Sequence, residues 1–226
     1  MEHLDDAPQP VELSPQLVTI LTTEHYTLQT GRSMTISEAN GRSSLFVGAV
    51  SSGLVALAFV GQLAQLGTAF FVFGLVVLPT LLLMGLITFE RVLQTGVADY
   101  VYALGIDNIR RLYLEAAPQL RPHLMFVTPA RPTRTYTHPE EHISWWQTFL
   151  TTAGMVAVIN SVLAGSFVGL LLAALALPLW VGTAAGVAAF LVSLGSQQRY
   201  QWRQWMKALR QQQGSATGNP KQADGS

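Results

Sequence analysis

His138-Pro139-Glu140-Glu141-His142 is the stretch whose residue types and spacing come nearest to a catalytic signature. Two histidines four apart on one helix can reach the same metal ion. Glu141 between them stands where an inverted zinc-protease pattern, His-x-x-Glu-His, carries its general base. Two features weigh against that chemistry. Pro139 suits the first position of a helix, which leaves His138 at the boundary rather than inside it. After Glu141 no carboxylate follows until Asp224, so a downstream carboxylate ligand is missing. The stretch is read instead as a helix start with acidic groups in its first turn. His138, Glu141 and His142 are weak metal candidates, and no cofactor is expected.

Other chemistry finds less support. Cysteine is absent, which removes thiolate ligands, thiol nucleophiles and a disulfide framework. No phosphate-cradling glycine loop, nucleophile elbow or haem-binding spacing is present. Thirteen basic and 13 acidic residues cancel, so bulk charge selects no partner and no nucleic acid is expected. The remaining polar candidates lie among apolar residues: Asn160, Ser161, Ser51, Ser52, Thr80, Thr88, Ser166 and Thr183. Asn160 is the most costly of these in lipid. It is expected to face another helix, as a packing or oligomer contact, or to line a polar path.

The elements that must position these residues follow from two uncharged blocks. Residues 142–198 contain no Asp, Glu, Lys or Arg, and neither do residues 43–89. As helix the longer block would reach about 85 Å, while a bilayer core is about 30 Å thick. Each block is too long for one crossing and suits two. Half of the 226 residues are hydrophobic and 12% are charged, against roughly 25% charged in a soluble domain. The expected fold is an all-α membrane protein with four transmembrane helices, arranged as two hairpins with flanking cytoplasmic amphipathic helices.

The expected divisions are a disordered acidic tail, 1–13; a lead-in helix, 14–43; a first hairpin, 44–89; a polar helix with a Pro-rich linker, 90–141; a second hairpin, 142–194; a basic amphipathic helix, 195–213; and a disordered tail, 214–226. Ser14-Pro15 reads as an N-cap and first helical residue. Asn40-Gly41 favours a turn in the lead-in, whereas Glu38 and Arg42 would face each other if that piece were helical. The first hairpin is expected to turn near Gly61–Gly67 and the second near Gly165–Gly169. Pro79 and Pro178 would then both lie inside the second crossing of their hairpin. That echo suggests a parallel duplication, with broken helices as a possible site. Val97, Val101, Leu104 and Leu112 are expected to form the apolar face of the polar helix. Trp145 and Trp146 would stand at the entrance to the third crossing.

Gly182-x-x-x-Gly186 has the spacing that lets helix backbones approach in lipid. Gly165-x-x-x-Gly169 has it too, but overlaps the expected turn. Arg199, Arg203, Lys207 and Arg210 form a basic face, with Trp202 and Trp205 on an apolar one, and are expected to contact the lipid surface. The basic residues near the crossings lie outside both hairpin turns, which puts both termini in the cytoplasm by the positive-inside rule.

The lead-in Leu21-Thr-Thr-Glu-His-Tyr-Thr-Leu-Gln-Thr-Gly-Arg-Ser-Met-Thr-Ile-Ser-Glu-Ala-Asn-Gly-Arg-Ser-Ser-Leu-Phe46 runs directly into a crossing rich in small residues. In this it resembles uncharacterised bacterial multi-pass integral membrane proteins. The resemblance covers the first hairpin and its flanks, implies a bacterial cytoplasmic membrane, and brings no known activity. A looser, architectural likeness is to two-crossing membrane effectors of bacterial nucleotide-signalling defence systems. This chain departs from them in having four crossings and no evident sensor domain.

The function expected from these features is a non-enzymatic, oligomeric structural or signalling module. The alternatives are a small transporter or pore and, third, an integral-membrane enzyme. Expected partners are membrane lipids, further copies of the chain and a cytoplasmic protein.

Overall fold

The computed structural model describes residues 14–119 and 151–217, with side chains as far as Arg210. Four helices follow one another: α1 (Pro15–Leu63), α2 (Thr68–Ala116), α3 (Thr152–Ala174) and α4 (Leu179–Thr217). All four are long and apolar enough to cross a membrane. The protein is therefore an all-α, multi-pass membrane protein, with α1 paired to α2 and α3 paired to α4.

α1 runs without a break through Asn40-Gly41, where a turn was expected. Local bonds hold the helix across this point. Arg42 Nε meets Glu38 Oε1 at 2.8 Å, and Ser43 Oγ donates to Ala39 O at 2.8 Å. Gly41 faces open space, so it weakens the helix only by its backbone freedom. α2 ends at Ala116, two residues before Pro118, which cannot supply a helical N–H.

Both hairpins turn by the same device. In the first, Leu66 N donates to Gly61 O at 3.1 Å and Gln65 N to Gln62 O at 3.4 Å, with Gln65 at φ 49°. In the second, Leu177 N donates to Leu172 O at 3.2 Å and Ala176 N to Ala173 O at 3.0 Å, with Ala176 at φ 57°. These are Schellman caps, each with a left-handed residue just past the helix end. Glycine usually fills that place, but Gln65 and Ala176 fill it here.

The second turn lies at Leu175–Pro178, not near Gly165–Gly169, which are helical. Pro178 consequently stands at the start of α4 and not inside it. Its carbonyl accepts from Val181 N at 2.9 Å and Gly182 N at 3.2 Å. A proline fits here because no helical N–H is needed at a helix start. Pro79, by contrast, is internal to α2. Thr80 donates to Val76 O at 2.8 Å, satisfying a carbonyl beside the interruption. The two prolines are therefore not equivalent, and the echo based on them fails.

The contacts divide the described residues into two units: residues 14–36 with 98–119, and residues 37–97 with 151–217. In the first, α1 and α2 run antiparallel. Arg32 meets Asp99 at 2.8 Å, Tyr102 packs at Gly31, Leu28 at Gly105, and the Thr22 and Tyr113 hydroxyls are 3.5 Å apart. Ile106 and Ile109 are the buried apolar residues here, while Val101 is 49% exposed. The inward face of this part of α2 is thus rotated from the one expected. In the second unit a core of Phe46, Leu78, Leu81, Phe89, Val92 and Val156 joins residues of α1, α2 and α3, and Trp205 of α4 packs against it.

Candidate functional site

The seam between α3 and α4 gathers four of the buried polar residues of the second unit, Asn160, Ser161, Gln197 and Gln201, while Thr88 and Thr95 are buried on α2. Its lower part is backbone on backbone. A Cβ on Gly165 would lie 2.7 Å from Gly186 O, and one on Gly186 would lie 2.9 Å from Gly165 O. The second pair is looser: a Cβ on Gly169 would stand 3.5 Å from Gly182 O, and one on Gly182 would stand 3.4 Å from Gly169 O. All four small residues of the two four-spaced patterns thus face one another across the seam. Close van der Waals contact of this kind holds helices together in lipid, where apolar burial supplies little driving force.

Further along the same seam, side-chain hydrogen bonds take over. Ser161 Oγ donates to Ala157 O at 2.7 Å and lies 3.3 Å from Ser193 Oγ. Gln197 Nε2 reaches Ser193 Oγ at 3.0 Å and Ser161 Oγ at 3.4 Å. Asn160 Nδ2 donates to Gln197 Oε1 at 3.3 Å. One turn on, Gln201 Nε2 donates to Thr151 Oγ1 at 3.1 Å, and the same oxygen caps α3 by accepting from Gly154 N at 3.0 Å. Asn160 and Ser161 are 0% exposed and Gln201 1%.

Two carbonyl oxygens in this seam lack donors among the described residues: Asn160 Oδ1 and Gln201 Oε1. Asn160 Oδ1 is pressed into α2. A Cβ on Gly85 would overlap it and would also lie 2.7 Å from Phe46 Cζ of α1. Since Asn160 is bonded to Gln197, one residue from each of the four helices meets at this point. The arrangement orients carboxamides and hydroxyls and holds helices in register. It presents no nucleophile with a base beside it. Among the described residues no cluster of three or more His, Asp or Glu side chains has metal-binding geometry.

Asn160, Gly182 and Gly186 are thus brought into one seam, while Pro79 and Pro178 take no part in its hydrogen bonds. Arg199, Arg203, Lys207 and Arg210 are exposed. Trp202 is 41% exposed, whereas Trp205 is partly buried against the core. The two tryptophans therefore do not share one lipid-facing surface. His138, Glu141, His142, Trp145 and Trp146 lie outside the described residues.

Sequence reading did not single out Gly85, Thr151, Ser193, Gln197 or Gln201. A signal for the last two exists: Gln197, Gln201 and Trp205 recur every fourth residue and mark one helical face.

No protein-family model matches the chain, and no curated protein or solved structure shows significant similarity to it. The likeness drawn from residues 21–46 gains no relative from these comparisons. What stands is the four-helix membrane architecture itself.

Proposed function

We propose that the protein is a non-enzymatic, oligomeric membrane module of structural or signalling type, whose two hairpins are locked together where Asn160 meets Gly85. The supporting observation is the closure of the polar groups. A conducting or transporting path needs side chains that face a lumen, whereas Asn160, Ser161 and Gln201 are sealed between helices. Buried and mutually bonded, such groups fix helix register in lipid. Self-association is supported by Ser44, Gly48 and Ser52 on α1. They recur at intervals of four, are exposed, and leave open space at Gly48. The distribution of Arg and Lys supports cytoplasmic termini in a cytoplasmic membrane, where a cytoplasmic protein partner would dock.

Ion and dye flux through proteoliposomes holding the purified chain tests this reading. No flux is expected from the wild type or from Asn160→Leu. Flux that disappears in a folded Asn160→Leu variant would overturn it in favour of a small transporter or pore.

A further inference from the structure

We propose that Arg199 and Arg203 form a binding collar for acidic phospholipid headgroups on the outer side of α4, at the level where the helix leaves the hydrocarbon. The proposal holds independently of the module reading, since a conducting protein would carry the same collar.

The face comes first. At about 100° per residue, Arg199, Arg203, Lys207 and Arg210 fall within about 80° of arc. The buried Gln197 and Gln201 and the partly buried Trp205 also fall within about 80°, centred roughly opposite. The cations therefore face away from the described helices that pack against α4. Among the described residues none of them takes part in an ion pair. No acidic residue occurs between Glu141 and Asp224, so α4 itself supplies no counter-charge.

The level comes next, and two observations agree on it. Trp180, 73% exposed, stands at one end of α4, and the exposed Tyr200 and Trp202 stand 20 and 22 residues later. That separation is about 30–33 Å of helix, the thickness of a bilayer core, and amphipathic aromatic rings favour its two boundaries. The neighbouring helix gives the same level. The rings of Phe89 and Tyr200 lie 6.5 Å apart, and Phe89 directly precedes Glu90 and Arg91, where the uncharged run of α2 ends. At that level Glu90 accepts from Gln94 Nε2 at 2.8 Å, and Arg91 is exposed.

The unbroken course of α4 then ranks the four cations. A helix lying in the membrane plane would bring all of them to the headgroups. α4 continues along its own axis instead, so Lys207 and Arg210 stand about 12 and 16 Å beyond Arg199. The headgroup layer is only about 5–8 Å deep on each side, and charges beyond about 8 Å of water are largely screened. Arg199 and Arg203 lie within reach, and each Arg head can bend toward phosphate from its apolar stem.

The test uses the full chain in phosphatidylcholine vesicles with a tracer of spin-labelled phosphatidylglycerol or phosphatidylcholine. The motionally restricted fraction in the electron paramagnetic resonance spectrum reports boundary lipid. The wild type is expected to prefer the acidic tracer about threefold at low salt, with the preference reduced in 0.5 M salt as roughly expected for screened charge. Arg199→Gln with Arg203→Gln is expected to abolish most of that preference, and Lys207→Gln with Arg210→Gln to leave it nearly unchanged. Both double variants replace exposed side chains with good helix formers, and circular dichroism checks that helix content is retained. Equal preference in the wild type and the Arg199/Arg203 variant overturns the proposal. So does an equal loss in the Lys207/Arg210 variant, which would shift the contact to the protruding part of the helix.

Discussion

Asn160 Oδ1 occupies the space beside Gly85 that the Cβ of any larger residue would need. An amide in α3 thus fixes which residue α2 can carry at that point. Gly85→Ala should be destabilising by about 1–3 kcal/mol, because Phe46 and the Asn160 amide must both move. Asn160→Ala removes the nearer of the two obstacles, leaving Phe46, but strands Gln197 Oε1. Combining the two should therefore cost less than their sum, with a coupling of about 0.5–3 kcal/mol. Reversible unfolding in mixed micelles measures the cycle. Strict additivity would show that the two residues do not share this space.

The α3–α4 glycines should respond unequally to the same substitution. Gly165→Ala pushes a methyl against the backbone of Gly186 and should separate the helices, lowering thermal stability in detergent. Gly169→Ala introduces only an ordinary contact and should be nearly silent. Equal effects at the two positions would contradict the observed register.

The two turns can be improved. Ala176 and Gln65 are left-handed, a conformation that costs L-residues roughly 1–2 kcal/mol and glycine little. Ala176→Gly should stabilise the second hairpin by up to about 1 kcal/mol, because added freedom in the unfolded chain offsets part of the relief. A fall in melting temperature would show that the methyl group of Ala176 contributes packing that outweighs the strain.

His25 carries a pH dependence. It precedes the uncharged block, its Nε2 lies 2.9 Å from Gln29 Nε2, and its Nδ1 is buried without a partner among the described residues. Burial, and then the charge of Arg110, hold its pKa below the usual 6.5. The folded state therefore resists protonation more than the unfolded state does. The contribution is fully present above about pH 6.5 and is lost as pH falls from there through the lowered native value. Melting temperatures from pH 7.5 to pH 5 should drop less steeply for His25→Gln than for the wild type. Parallel curves would remove His25 as a source of this dependence.

The four membrane-length helices were legible because charge is excluded from two long blocks, a signal that needs no tertiary information. The first turn was legible because Gly61 and Gly67 frame it. The second was hidden. Glycine serves both turns and close helix contact, and Gly165 and Gly169 serve the contact. The left-handed residue of the real turn is an alanine, which gives no warning. Asn160 was legible as a residue needing a partner, but its partners Gln197 and Gly85 lie on other helices and follow from no local pattern. The inward face of α4 gives little local signal for a related reason. Glutamine scores as polar, yet Gln197 and Gln201 find partners inside and turn the cations outward.

The four-residue turn between α3 and α4 gives the two helices little freedom to enter a bilayer independently. α4 is the least apolar of the four candidate spans, and Gln197 lies within it. Threaded alone into lipid, that amide would carry its full desolvation cost. Entering beside α3, it arrives with Asn160 and Ser161 already in reach. On desolvation grounds the second hairpin is therefore cheaper to place in lipid as one unit than as two separate helices, its later half becoming lipid-compatible once its earlier half is beside it.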